Sequence, residues 1–294
     1  MSGPTAAPKE TVLRSATKEV VIGHGHRFCL IGERINPTGR RIFQEQLRAG
    51  DLSAIERDVA AQVAGRADVL DVNMGVPLTD EPELLAKAIQ LVQTLTDLPI
   101  CIDSSVVEAL EAGLAVYQGR ALVNSVTAED DRLAAILPLV KKYDAAVIAL
   151  PNDHDEIPME ADKRVQLTEK IVRVATEEYG LDAADIVIDP LAMPIGADTT
   201  TTLVTLDTMR QIRDRFGVNM TCGASNVSFG MPDRHTLSSV WLPMAMTAGL
   251  TSAIMDTRTP QIVDAVKAAD VFLDHDDWGM AWISAHRAKQ AATA

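Results

Sequence analysis

The chain is poor in cysteine, has no basic excess and contains no long uninterrupted apolar run. Its three cysteines, Cys29, Cys101 and Cys222, form no CxxC pair. Each lies in or beside a β-prone apolar stretch. They read as small buried hydrophobes in a reducing compartment, not as a disulfide frame or a zinc site. Lys and Arg number 27 against 41 Asp and Glu, a net charge of -14. That balance argues against nucleic acid, whose phosphates require a basic patch. No stretch reaches the about 18 uncharged apolar residues that suggest a membrane span. The opening MSGPTAAPKETVLRSATKE lacks the apolar centre of a signal peptide. A cytoplasmic enzyme fits these absences. GxGxxG, GxSxG and HxxxH are also missing. A dinucleotide turn, a serine nucleophile elbow and a helical metal pair are therefore not expected. His24, His26, His154, His235, His275 and His286 are scattered off the strand ends, and no metal is expected.

What is present is an alternation. Hydrophobic residues make up 47% of the 294. Eight β-prone runs cover residues 27–36, 67–73, 98–104, 120–126, 145–151, 185–191, 219–227 and 252–257, each followed by a helix-length amphipathic segment. Apolar strands alternating with helices mean a parallel sheet covered by helices, and eight such units fit a TIM (β/α)8 barrel of ~250 residues. A doubly wound open sheet ranks behind it, because the first strand ends in GERINPTGR, without a phosphate-binding glycine turn. EVVIGHGHRFCL (19–30) breaks at HGH between two apolar runs, which suggests a small hairpin capping the barrel floor. The expected organisation is a disordered lead-in over 1–17, a single barrel over 18–273 and a partly helical tail over 274–294.

The strand ends are unusual. LDVN (70–73), CIDS (101–104), LVNS (122–125) and VIDP (187–190) each run from apolar residues into a carboxylate or amide, and GASNVS (223–228) leads through small residues to Asn226. In this barrel class the C-terminal strand ends build the active site. The tips are Glu33, Asn36, Asp71, Asn73, Asp103, Asn124, Ser125, Asp189, Asn226 and Asp256, with no lysine among them. A phosphorylated ligand would want cations or a glycine cradle. Carboxylate acceptors mixed with amide donors instead suit a pterin, purine or guanidinium edge. Any one of these acids could merely cap the next helix, Asp103 and Asn124 in particular. Asp189 is the firmest, since the following Pro190 biases it away from helix.

IGERIN, LDVNMG, CIDSS, LVNS, VIDPLAMP and GASNVSFGMP, in this order, resemble the pterin-binding methyltransferases. These include the methyltetrahydrofolate:corrinoid protein methyltransferases and the folate domain of cobalamin-dependent methionine synthase. The resemblance spans 28–273 and implies methyl transfer between N5 of tetrahydrofolate and the cobalt of a corrinoid (cobalamin type). It assigns Asp103, Asn124 and Asp189 to the pterin ring and Asn226 to N5. Asp71 and Asn73 lie at the pocket floor, Ser125 lines the pocket, and Gly223 with Ser225 keeps one strand tip slim. Asn226, Asp103 and Asp189 are the residues expected to carry catalysis. A DxHxxG-type corrinoid motif is absent, DHDEIP (153–158) being no match, so the corrinoid is expected on a separate protein docking at the mouth through GERINPTGRRIF and SFGMPDRHT. Arg40 and Arg41 could meet that partner or the folate tail. A homodimer is also implied, with the helix bearing Trp241, Met244 and Met246 either a candidate interface or a core-facing helix. Dihydropteroate synthase is the alternative, set back by GERINPTGRR in place of an NxTPDSF-type segment and by the missing SRK-type lysine. A non-catalytic pterin-binding barrel is the third reading.

Overall fold

The computed structural model describes residues 6–154 and 157–293. Strands β1 (Glu10–Arg14) and β2 (Glu19–Gly23) form an antiparallel hairpin. β3 (Cys29–Ile35), β4 (Val69–Asn73), β5 (Ile100–Asp103), β6 (Leu122–Thr127), β7 (Ala146–Leu150), β8 (Ile186–Ile188), β9 (Asn219–Met220) and β10 (Ser252–Met255) make one parallel sheet in the order β10-β3-β4-β5-β6-β7-β8-β9. A bridge between Gly223 and Ile254 closes it, with Ala224 N donating to Ile254 O and Ile254 N to Cys222 O, both at 2.9 Å. The result is a TIM barrel. Its outer ring comprises α1 (Arg41–Arg48), α2 (Ser53–Ala64), α3 (Glu81–Leu95), α4 (Val107–Val116), α5 (Asp130–Lys142), α6 (Ala161–Arg173), α7 (Thr201–Phe216), α8 (Arg234–Ala248) and α9 (Pro260–Phe272), and α10 (Met280–Thr293) follows.

Strand periodicity aims the polar tips. Cys29, Ile31, Val69, Cys101, Leu122, Ala146, Ile148 and Val187 pack together inside the barrel, while Leu70, Val72, Ile102, Val123, Ile186 and Ile188 pack outward with the helices. Side chains alternate along a strand. The interior face that begins at Val69 therefore continues to Asp71 and Asn73, that of Cys101 to Asp103, that of Leu122 to Asn124 and that of Val187 to Asp189. Cross-strand register sets Asn73 beside Asp103 and Asp103 beside Asn124. Cys29 and Cys101 fill the interior as small hydrophobes, and all three cysteines are buried and free.

The hairpin closes the floor, but its turn lies elsewhere than expected. It spans Ser15–Lys18, with Ser15 N donating to Lys18 O, and HGH is instead the link from β2 to β3. Residues 10–14 of the expected lead-in are its first strand, because ETVLR alternates and buries Thr11 and Leu13. Leu13 and Ile22 plug the interior from below. Asn219 Nδ2 ties the hairpin in by donating to Ile22 O (2.8 Å) and Thr11 Oγ1 (2.9 Å). The run over 219–227 is mostly not strand. β9 ends at Met220, and GASNVS folds into turns, with Asn226 N donating to Gly223 O (3.1 Å) and Phe229 N to Asn226 O (3.0 Å).

Two other expectations change. Arg40 is committed within the chain: its Nη1 lies 2.7 Å from Asp58 Oδ2 and donates to Arg34 O, and its guanidinium covers the Phe43 ring at 4.7 Å. It props the loop after β3, whereas Arg41 is exposed and pairs with Glu45. On α8, Trp241 and Met246 face the core of their own chain and only Met244 of the three is exposed.

Candidate active site

Four of the tips form one polar cluster. Asp71 is 2% exposed. Its Oδ1 accepts from Asn124 Nδ2 at 3.2 Å, and the Cys101 thiol also bonds its carboxyl. Burial, then the charge of Asp103, push the Asp71 carboxyl well above the usual range, which favours its neutral form. Asp103 is raised to about 6 by burial, against a hydrogen bond from Asn73 that favours the charge, with Glu81 pushing the same way as burial. Asn73 also accepts from Gly75 N at 2.9 Å. Neither Asp103 nor Asn124 caps a helix. Ser104 Oγ does the local work after β5, accepting from Val106 N (3.0 Å) and donating to Glu81. Helix α5 has Glu129 as its N-cap residue, without a side-chain cap. Ser125 follows Asn124 across a cis peptide bond and is half-buried.

Asp189 is held separately, on the far side of β7. Burial raises its carboxyl to about 6, opposed by the Leu191 N–H, which donates to Oδ1 at 2.8 Å, and by the charge of Arg164. Arg164 comes from α6 and is fully buried. Its Nε donates to Pro158 O (2.7 Å), and Nη1 to Pro190 O (2.8 Å), Leu191 O (2.9 Å) and Thr205 Oγ1 (3.2 Å). One guanidinium thus ties the loops after β7 and β8 together beneath Asp189. A buried arginine that satisfies backbone carbonyls in this way fixes geometry more than it adds net stability.

The third element is the turn 223–230. Asn226 is exposed, and its amide lies over Gly223, where an added Cβ would fall 2.9 Å from Nδ2. A side chain at 223 would therefore displace the Asn226 amide from this position. Ser225 Oγ donates to the Glu33 carboxylate (3.3 and 3.4 Å), and Arg234 Nη2 donates to Ser225 O (2.7 Å). The Glu33 carboxyl is raised by burial and then by the charge of Asp256, with Ser225, Arg34 and Arg234 opposing.

Asp71, Asn73, Asp103 and Asn124 are joined directly by hydrogen bonds or charge, whereas Asp189 and Asn226 stand on separate supports. Sequence reasoning missed Arg164, named Arg234 only within the docking loop SFGMPDRHT, and left Glu33 as an unassigned tip. It also passed over Thr127 and Asn152 at the ends of β6 and β7, where Thr127 Oγ1 and Asn152 Oδ1 are buried without a hydrogen-bond partner. DHDEIP brings His154 within 3.6 Å of Glu129 and 3.7 Å of Asp131. His154 and Asp131 are largely exposed, and such surface pairs contribute little. Residues 155–156 of that motif lie outside the described residues.

Comparison with known proteins gives the family and the fold. Residues 32–256 match the model of the pterin binding enzyme family. The chain is 30% identical over 255 residues to a methylcorrinoid:tetrahydrofolate methyltransferase of Eubacterium limosum, covering 85% of this chain and 92% of that one. It is 33% identical over 239 residues to methionine synthase of Mycobacterium leprae, matching 77% of this chain but only 20% of that protein's length. In fold it is similar to dihydropteroate synthase from Xanthomonas albilineans, solved with 7,8-dihydropteroate, at a TM-score of 0.67 and 20% identity over 89% of this chain and 98% of the other. The chain belongs to the pterin binding enzyme family, and the two curated relatives named here are methyltransferases.

Proposed function

We propose that this chain transfers a methyl group between N5 of tetrahydrofolate and the cobalt of a corrinoid carried by a separate protein. The observation that carries the proposal is the interior rim of Asp103, Asn124 and Asp189, with carboxylates and an amide but no lysine. On this reading Asp189 accepts from the N3–H and 2-amino edge of the pterin, and Asp103 with Asn124 holds the opposite edge. Asp71 and Asn73 brace those two from below. Ser125 lines the ring, and Gly223 and Ser225 leave it room. Asn226 stands at the methyl-bearing N5. The relatives' names and the family match support the substrate pair.

The chemistry sets the demand. A methyl on a tertiary amine leaves badly unless the nitrogen gains positive charge or a proton. Cobalt(I) attacks the methyl in line, the carbon–nitrogen electron pair stays on N5, and N5 ends as an N–H. Preorganised polar groups around N5 stabilise the developing charge, with Asn226 supplying one contact. The reverse transfer uses the same site by microscopic reversibility.

The carrier protein docks at the mouth. In support, Ile42, Leu78, Leu203 and Phe229, all on loops or helix starts at that end, are 75%, 102%, 68% and 64% exposed. Apolar side chains gathered at one end mark an interaction surface. A homodimer belongs to the same proposal, with Val240 and Met244 rather than Trp241 the outward apolar residues of α8. Sedimentation velocity checks it, since a monomer at micromolar protein removes that part.

Mixing the protein with 5-methyltetrahydrofolate and free cob(I)alamin, and following the cobalt spectrum, tests the function. Formation of methylcobalamin is expected. Pteroate formed from pterin pyrophosphate and p-aminobenzoate, with no methylcobalamin, would assign the barrel to the other reaction class.

A further inference from the structure

Glu33 takes no part in the contacts assigned to the pterin or to N5, yet it is a half-buried carboxyl one hydrogen bond from the turn that carries Asn226. It lies in the second half of β3 on the interior side that carries Cys29 and Ile31, and the turn residue Ser225 is 192 positions away in sequence. One long-range and one local contact fix the pair. The Ser225 hydroxyl spans both Glu33 oxygens, and Arg234, nine residues further on, donates to Ser225 O. Asp68 and Asp270, by contrast, accept from backbone N–H groups, Leu30 N and Phe28 N, on the barrel floor.

We infer that Glu33 and Ser225 form the proton relay that serves N5, with Glu33 holding the proton that N5 gains when the methyl leaves. The inference rests on the methyl-transfer reading and goes beyond it. In the balanced step, methyl–N5 and cobalt(I) corrinoid become methyl–cobalt(III) and N5–H. The Ser225 hydroxyl gives its proton toward N5 and takes one from the protonated Glu33, which ends as carboxylate. In that protonated form Glu33 donates to Ser225 Oγ, the reverse of the bond seen with the carboxylate. Glu33 acts through Ser225 and is a positioning and proton-holding residue.

The surroundings suit a carboxyl that keeps its proton. Burial comes first, and Asp256, at the end of β10, adds repulsion. Asp71 on β4 faces it as well, while Arg34 on β3, Arg234 on α8 and Arg258 after β10 oppose. The net direction is upward, so the carboxyl gives up its proton above the range of an exposed glutamate.

The test uses wild type, Glu33→Gln and Ser225→Ala. Wild type must first make methylcobalamin; if it does not, the parent reading fails and the relay is not what failed. Given that activity, Glu33→Gln, which keeps size and one acceptor, is expected to bind 5-methyltetrahydrofolate within about threefold of wild type. Measured at saturating folate, its single-turnover transfer should fall by roughly 10²-fold, the scale of a general acid, and lose the part of the pH dependence that Glu33 contributes, leaving that of Asp189 and Asp103. Ser225→Ala should lose as much transfer while keeping the carboxyl. Difference infrared spectra supply a readout independent of activity. Wild type should show a protonated carboxyl band that titrates above the ordinary glutamate range, absent in Glu33→Gln and shifted to higher pH in Ser225→Ala. Wild-type transfer by Glu33→Gln across pH, or an infrared band unchanged by that substitution, overturns the relay.

Discussion

Replacing Asp189 by Asn separates the carboxylate's charge from its shape. The amide oxygen can still accept from Leu191 N, but the negative charge facing Arg164 is gone. Burial raises the Asp189 carboxyl from 3.8 to about 6. At roughly 1.4 kcal/mol per pH unit, ionising it in the folded protein costs about 3 kcal/mol. The signs follow from where the proton binds. A folded-state value above the unfolded one means that the free protein holds this proton more tightly than the unfolded chain does. Stability therefore falls as pH rises from about 4 to about 6. Asp189→Asn should remove that fall, so its stability gains on wild type by up to about 3 kcal/mol across the window. Ligand binding runs the other way. A pterin edge that donates two hydrogens needs the ionised form, so wild-type affinity is full above about 6 and declines as pH drops through it. The substitution should weaken binding of 5-methyltetrahydrofolate at pH 7.5 by about 3 kcal/mol, on the order of 100-fold, the scale of a lost charge-assisted contact. Any pH dependence left in the variant belongs to Asp103, also raised to about 6. Calorimetric titrations from pH 5 to 8, with urea unfolding over the same range, check both signs. Undiminished affinity in Asp189→Asn, or flat wild-type affinity across pH 6, would refute the reasoning.

Asn226→Ala should reduce methyl transfer by roughly 10²-fold or more, the cost of one preorganised contact, measured in single turnover with free cob(I)alamin; unchanged turnover sinks its assignment to N5. Arg164→Met strips donors from three backbone carbonyls and Thr205, and should destabilise by about 3 kcal/mol. Urea midpoints read this, and Arg164→Lys should recover part of the loss. Leu13→Ala removes the plug beneath the barrel interior and should cost roughly 2 to 5 kcal/mol in the same assay without altering pterin affinity. Leu78→Glu combined with Phe229→Glu should slow transfer to the carrier protein while sparing transfer to free cob(I)alamin. Equal loss with both acceptors would remove those side chains from the docking face.

The barrel and its polar rim were legible in the sequence for one physical reason. Interior residues recur with period two, so Val69, Cys101, Leu122 and Val187 announce where Asp71, Asp103, Asn124 and Asp189 must point. What escaped depends on contacts far apart in sequence. Glu33 and Ser225 meet only when the segment after β9 closes on β10, which pairs with β3 on its other side. Arg164 sits in DKRVQL, where a charge ordinarily marks a solvated helix face, and only the packing of α6 against two loops reveals it as buried. The hairpin turn was misplaced because HGH carries two glycine-flanking histidines and looks like punctuation, whereas SATK (15–18) turns through Ser15 hydrogen bonds that leave no glycine signal. GASNVS read as strand because it follows one, but the turn bonds of Asn226 and Phe229 outcompete the sheet.

The central claim concerns where the methyl group goes. The most direct measurement follows 5-[13C]methyltetrahydrofolate by carbon NMR in the presence of the protein and cob(I)alamin. The expected result is loss of the N-methyl resonance and matching growth of a cobalt-bound methyl resonance, absent without protein and strongly slowed in Asn226→Ala. A label that stays on N5 while the pterin is demonstrably bound would contradict the claim and leave a pterin-binding barrel without this chemistry.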